Sequence, residues 1–185
     1  DTTLTDSIIF TLKVETLIVR QEQPSEFQSV YDLVKIAFQT AKVSDGNEQD
    51  FVNKLRASMN YIPQLALVAE EDSKLVGHIM LTKTYVTMGN SKFDALLLAP
   101  LSVRLEYRRR GIGSKLVRQS FELAKNLGHS VVFVVGDPAF YGRFGFTSSA
   151  LFGIKHVPTI PVQFVMVYEL FAGALSGVTG TVTFI

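Results

Sequence analysis

The chain has 185 residues, 47% apolar and 19% charged, with 18 Lys plus Arg against 17 Asp plus Glu and a formal net charge of +1. That length suits one domain able to bury about 70% of its unfolded surface, so it needs no covalent staple. The absence of cysteine excludes a disulfide framework, thiolate metal sites and a Cys nucleophile, and His78, His129 and His156 are too scattered for a histidine site, so no metal is expected.

In chain order, Leu17 to Arg20 (LIVR) is predicted to form a short strand, and Pro24-Ser25 to open a helix. Ser25 with Gln28 has capping-box spacing, and Phe27, Val30, Tyr31, Val34, Ala37 and Phe38 recur at helical intervals. A second helix is expected from Glu48 to Met59, with Asn47 as its cap and Val52, Leu55 and Met59 on one face. Leu65 to Ala69 and Leu75 to Met88 read as strands joined by a tight turn, and Gly89-Asn90-Ser91 leads into a third, Phe93 to Val103 (FDALLLAPLSV). Pro100 interrupts that third strand. Proline has no amide hydrogen for a ladder, so a bulge or the loss of a neighbour is expected there, leaving the backbone that follows free to bond something other than protein.

Ser114 to Leu127 is the best helix of the chain, with Leu116, Val117, Phe121, Leu123, Ala124 and Leu127 as its apolar stripe and Gly128 at its stop. The β-branched run Val131 to Val135 (VVFVV) has the pattern of a strand covered on both faces. Strand-like stretches at Val162 to Leu170 and Val178 to Phe184, parted by Gly-rich turns, complete the chain. The fold expected is a single α/β (α+β) domain over residues 1–185, with a mixed central sheet.

The near-neutral charge is unevenly spread. Arg104, Arg108, Arg109, Arg110, Lys115 and Arg118 stand against Glu106 alone, so residues 104–118 carry +5 and the remainder −4. One compact basic cluster suits a phosphate group better than a nucleic-acid face does. Within it, Arg108-Arg109-Arg110-Gly111-Ile112-Gly113-Ser114-Lys115 joins the interrupted strand to the best helix. A helix start presents unpaired N–H groups and a positive dipole end, glycines permit close backbone approach, and arginines add forked donors. A dinucleotide fingerprint would need glycine where Leu116 stands, and no GxxxxGK[ST] occurs.

The RxxGxG loop after an interrupted strand, followed by a helix, VVFVV and Gly136-Asp137-Pro138-Ala139-Phe140-Tyr141-Gly142-Arg143-Phe144-Gly145-Phe146, closely resembles the GNAT acyl-CoA-dependent N-acetyltransferases. Within that superfamily the chain is most similar to the YhbS-type bacterial acetyltransferases. The signature spans residues 96–146, and residues 173–180 resemble the C-terminal tail of that subgroup. The resemblance implies a sheet splayed at the bulged strand, with helices on both faces and acetyl-CoA held in the V-shaped slot as acyl donor. It implies that Arg108, Gly111 and Gly113, with amides of Arg109, Arg110, Ile112, Ser114 and the start of the helix at Lys115, hold the pyrophosphate. The pantetheine arm falls to the backbone of Leu101 to Val103, through Ser102. Tyr141, in the YxxxGF motif, becomes the acid that protonates the leaving thiolate; a phenol stays protonated at neutral pH yet can give its proton to a basic thiolate.

The implied reaction is direct acetyl transfer to a primary amine, on a small molecule or a peptide, in a ternary complex. A general base is not assigned: Asp94, Glu70, Glu71, His78 and Asp137 are all open. Six acids against two bases from Asp45 to Asp72 could attract a cationic amine, though a solvated surface has the same pattern. The alternatives are a non-catalytic CoA-binding regulatory module and an RNA-binding protein; the second is disfavoured because only Tyr107 is interleaved with the basic residues. No nucleic acid is therefore expected as partner, and a homodimer is left open beside the monomer. No apolar run reaches the roughly 18 residues of a membrane span and the start lacks a signal-peptide layout, so a soluble cytoplasmic protein with no membrane partner is expected.

Overall fold

The expected strand at Leu17 to Arg20 forms, as β1 (Leu17–Gln21), in a computed structural model that describes residues 16–42 and 44–184. Residues 1–15, 43 and 185, which the expected 1–185 span includes, lie outside the described residues. A 3-10 turn leads into α1 (Phe27–Phe38). Its entry differs from the expected Ser25 and Gln28 box: the Glu26 carboxylate reaches back to accept from the Gln23 N–H at 2.8 Å, while Gln28 donates to Asp32. Because Pro24 starts the turn, the cap falls one residue before it. Helix α2 (Glu48–Arg56) stops short of Met59, which is 93% exposed and not on the apolar face.

Strands β2 (Ala66–Glu71) and β3 (Lys74–Met88) form a hairpin, and β3 pairs along its length with β4 (Ser91–Val103). After the basic loop comes α3 (Ile112–Asn126), two residues earlier than the apolar stripe alone predicts, because Gly111 at φ +77° serves as its N-cap. It ends in a Schellman motif: Gly128, at φ +86°, donates to the Lys125 carbonyl and His129 to that of Ala124. Strand β5 (Val131–Val135), the short α4 (Pro138–Tyr141), and strands β6 (Thr147–Ser148), β7 (Ile154–Lys155), β8 (Val165–Glu169) and β9 (Gly180–Thr183) follow. The two C-terminal strands are shorter than expected. Val162–Phe164 forms a 3-10 turn, and Val178 enters β9 from a turn.

The sheet runs β1-β2-β3-β4-β5-β8-β6, antiparallel except where β4 meets β5 and β7 meets β9. Strand β3 is long enough to pair β2 at its start and β9 at its end, so its second edge is also covered. Helix α3 lays Ile112, Leu116, Val117, Phe121 and Ala124 on one face, over Leu67, Ile79, Leu98 and Val134. Helices α1 and α2 cover the opposite face through Val30, Val34, Val52 and Leu55, over Ala66, Val68 and Met80. The C-terminal segment covers the remainder of that face, with Leu175, Val178 and Val182 against Leu97 and Phe133. Phe133, within VVFVV, has no exposed surface, as a strand covered on both faces requires.

Candidate active site

The site begins where β4 and β5 part. Their parallel ladder spans three pairs, from Leu96 opposite Val132 to Leu98 opposite Val134. Across from it the β3 register slips between Ile79 and Leu81, so Leu98 to Leu101 holds one residue more than β3 does, and the extra residue falls at Ala99-Pro100. That is the bulge proline predicts. Strand β5 stays with β8, and Gly136 N–H continues the pairing onto the Phe164 carbonyl. From Ala99 to Val103, β4 therefore keeps β3 on one side and no strand on the other among the described residues. Arg104 N–H donates to the Val76 carbonyl of β3. Strand alternation then turns Ser102 toward β3 and the N–H and C=O groups of Leu101 and Val103 into the opening.

The loop closes one end of this opening. Arg109 takes φ +63° and Gly111 φ +77°, which reverses the chain into α3. Lys115 N–H closes the first helical turn onto the Gly111 carbonyl, so the amides of Ile112, Gly113 and Ser114 precede any intrahelical bond. The Ile112 side chain is buried in the core, and only its amide is available to a ligand. A Cβ on Gly113 would stand 3.7 Å from Val103 Cγ2 and 3.9 Å from Leu101 Cδ2. The amide cradle and the open stretch of β4 are therefore neighbours.

The basic side chains are not equivalent. Arg108 donates to the Ala37 carbonyl and the Thr40 hydroxyl at the C-terminal end of α1, and through Nε to the Val103 carbonyl at 3.3 Å. Arg110 pairs with Glu71 at 2.8 Å and packs over the Tyr107 ring, Lys115 donates to the Leu17 carbonyl, and Arg104 to that of Leu75. Arg109 and Arg118 have no side-chain partner among the described residues. The sequence shows a block of like charge; the fold commits most of it to bracing the loop and leaves the backbone amides and Arg109 facing outward.

Tyr141 ends α4, whose first turn is capped by Asp137 accepting from the Ala139 N–H. Its ring lies on Gly136, directly after β5, so closely that a Cβ on Gly136 would stand 2.3 Å from Cε2. Phe140 and Phe146 box it edge-on, with centroids 5.0 and 5.7 Å away. Tyr141 is half-buried against these rings, whose apolar surround raises the phenol above its ordinary range, and its hydroxyl makes no hydrogen bond among the described residues.

Of the open base candidates, Glu70 accepts from Arg20, Glu71 from Arg110, and Asp137 is the α4 cap. Asp94 is exposed on β4, opposite Tyr85 and away from the opening. His78 is different: it is fully buried on β3, opposite Ser102, in a cluster with Glu22, Arg56 and Tyr61. Sequence reasoning missed those three, because the contacts join residues 34 and 39 positions apart and no local pattern marks them. Among the described residues no cluster of metal-ligating side chains occurs, and no helix is long and apolar enough to cross a membrane.

The chain belongs to the acetyltransferase (GNAT) domain family, whose match covers residues 18–148, and within that span a parallel pair parts at a bulge beside a glycine helix entry. Among individual proteins it is similar to the uncharacterized N-acetyltransferase YhbS of Escherichia coli K12, with 29% identity over 91% of this chain and 96% of that one. It is also 35% identical to the uncharacterized N-acetyltransferase YjhQ of the same strain, over 56% of this chain and 57% of the relative. The crystal structure of E. coli YhbS in complex with CoA superposes with a TM-score of 0.79 and 26% identity, covering 92% of this chain and 91% of that one. A Brucella melitensis GNAT acetyltransferase in complex with acetyl-CoA shares the fold at a TM-score of 0.74 and 24% identity, over 92% and 96% of the two chains.

Proposed function

We propose that this protein transfers the acetyl group of acetyl-CoA to a primary amine by direct attack, with both substrates bound at once. The observation that carries the reading is the run of β4 beyond Leu98, which keeps β3 on one side, has no strand on the other among the described residues, and ends against three amides at the start of α3. The pantetheine arm, which bears amides, bonds the Leu101 and Val103 backbone as a strand would. The pyrophosphate sits at the Ile112, Gly113 and Ser114 amides, with Arg109 adding charge; Gly111 shapes the turn. Arg108, Arg110 and Lys115 serve the same site by bracing the loop against α1, β2 and β1. That CoA and acetyl-CoA are bound by the two solved relatives supports this placement.

The chemistry needs a neutral amine, a polarised thioester and an acid for the thiolate. As the amine lone pair attacks the carbonyl carbon, the C–S bond breaks and sulfur takes the Tyr141 phenol proton. A phenol held above its ordinary range remains protonated at neutral pH, so its proton is present when the thiolate leaves. No acyl-enzyme is needed.

Coenzyme A should raise the melting temperature, because a ligand specific for the folded state stabilises by RT ln(1 + [L]/Kd). NAD, which shares the adenylate but lacks the pantetheine arm, should do less. A larger shift with NAD would refute the slot assignment. Thiol release from acetyl-CoA across polyamines, aminoglycosides, amino acids and peptide N-termini then identifies the acceptor; CoA binding without release for any of them would leave a binding module instead.

A further inference from the structure

Beneath α1 and α2 the sheet carries charge where its neighbours are apolar. Glu22 is 2% exposed, His78 0% and Ser102 3%. Glu22 Oε1 accepts from Arg56 Nε at 2.9 Å and from the Tyr61 hydroxyl at 3.0 Å, while Oε2 accepts from Arg56 Nη2 at 2.6 Å. His78 Nε2 lies 3.2 Å from that same Oε2, near enough to pair but not aligned as a hydrogen bond. On the other side of the ring, Nδ1 has no hydrogen-bond partner among the described residues. Neither does the Oγ of Ser102, which stands directly across the ladder from His78.

Two buried polar atoms left open on facing residues are the setting in which proteins hold an ordered water. Ser102 lies between Leu101 and Val103, the two residues whose backbone borders the slot. An imidazole with a carboxylate 3.2 Å from one nitrogen and the other nitrogen unpartnered among the described residues is an arrangement general-base chemistry can use. We propose that His78, held by Glu22, receives the proton that the acceptor amine loses, through a water bridging His78 Nδ1 and Ser102 Oγ. This rests on the acetyl-transfer reading above.

The step balances. The amine nitrogen forms the new C–N bond, the C–S bond breaks, sulfur takes its proton from Tyr141, and the surplus N–H proton passes through water to Nδ1. Tyr141 is reprotonated and His78 gives up its proton to solvent before the next cycle. Burial pushes the imidazole below its ordinary value, with Glu22 only partly opposing, so the ring is neutral and can accept. Burial alone would raise the Glu22 carboxyl, but the hydrogen bonds from Arg56 and the nearby His78 ring outweigh that and bring it down to about 2, so a negative charge is in place when the ring becomes positive. The charged and titratable groups facing His78 are Glu22, Arg56 and Tyr61. Helix α1 brings Val30 and Val34 to this layer, β2 brings Ala66 and Val68, and β4 brings Ser102.

The rival account is that the cluster only ties α2 to the sheet, and two measurements separate the accounts. Imidazole ¹⁵N NMR on the wild-type protein at neutral pH should find His78 protonated on Nε2 and bare on Nδ1; a proton on Nδ1 overturns the assignment, and this arm needs no variant. The second is the pH profile of kcat, from pH 5 to 9, with the amine that releases thiol fastest. His78→Gln, or His78→Asn where the first does not fold, should lower kcat at least tenfold and erase its acidic limb, with acetyl-CoA affinity unchanged by calorimetry. A folded variant that keeps the wild-type limb overturns the assignment and leaves only the tether, while acetyl transfer stands. A wild-type protein that releases no thiol with any acceptor sinks the transfer reading and this inference with it.

Discussion

Gly136→Ala moves the candidate acid without changing it. A Cβ there would stand 2.3 Å from Tyr141 Cε2 and 2.7 Å from Cδ2. Carbon atoms rest at about 3.5 to 4.0 Å, so the ring must retreat by about 1 Å or more. Phe140 and Phe146 limit sideways escape, and the motion carries the hydroxyl away from its native position. A misplacement of about 1 Å costs about 10²-fold in rate, and overpacking costs about 1 to 3 kcal/mol of stability. At about 2 to 4 °C per kcal/mol for a chain this long, Tm should fall by about 2 to 12 °C. The amide cradle is untouched, so acetyl-CoA affinity should hold. The assay is thiol release with calorimetry and a thermal melt on the same preparation, run beside Tyr141→Phe, which keeps the ring and should lose about 10² to 10⁴ in kcat. The two changes act on one proton, so the double variant should be no slower than Tyr141→Phe alone. Wild-type kcat in folded Gly136→Ala refutes the reasoning about where the hydroxyl must be.

In the loop, Gly113→Val and Gly111→Val should each weaken acetyl-CoA binding by at least about tenfold, or about 1.4 kcal/mol, by calorimetry. Only Gly111→Val should also lose stability from backbone strain, because only Gly111 holds a positive φ; wild-type acetyl-CoA affinity in the folded variants refutes the cradle. Arg56→Met should cost about 3 to 5 kcal/mol in urea unfolding, since it leaves the Glu22 carboxylate buried without its main partner; a loss below about 1 kcal/mol would mean water reaches Glu22. For pH, an unfolded histidine titrates near 6.5 and folded His78 lower, so the unfolded chain takes up the proton first as pH falls. Stability from this group is complete above about 6.5 and declines as pH falls toward the folded pKa, so Tm should drop between pH 7.5 and 5.5, and less so in His78→Gln.

The sequence alone determined what depends on neighbours along the chain. Period-3.6 stripes located α1 and α3, Gly128 marked the α3 stop, VVFVV announced a strand covered twice, and Pro100 marked where β4 would lose regular pairing, because each signal is a local steric or hydrogen-bonding rule. RxxGxG was legible as a glycine helix entry for the same reason, whereas YxxxGF carried meaning only through the family resemblance. What only the tertiary structure decided is how groups far apart in sequence share partners. It tied Arg108 to the end of α1 and Arg110 to Glu71 and left Arg109 exposed, so three arginines that look alike in the sequence have different surroundings. It set Tyr141 over Gly136, and it sank Glu22, Arg56, Tyr61 and His78 into one cluster. Charge and hydrogen bonding act through space, and a buried polar group takes whatever partner the packing of the sheet and helices brings to it.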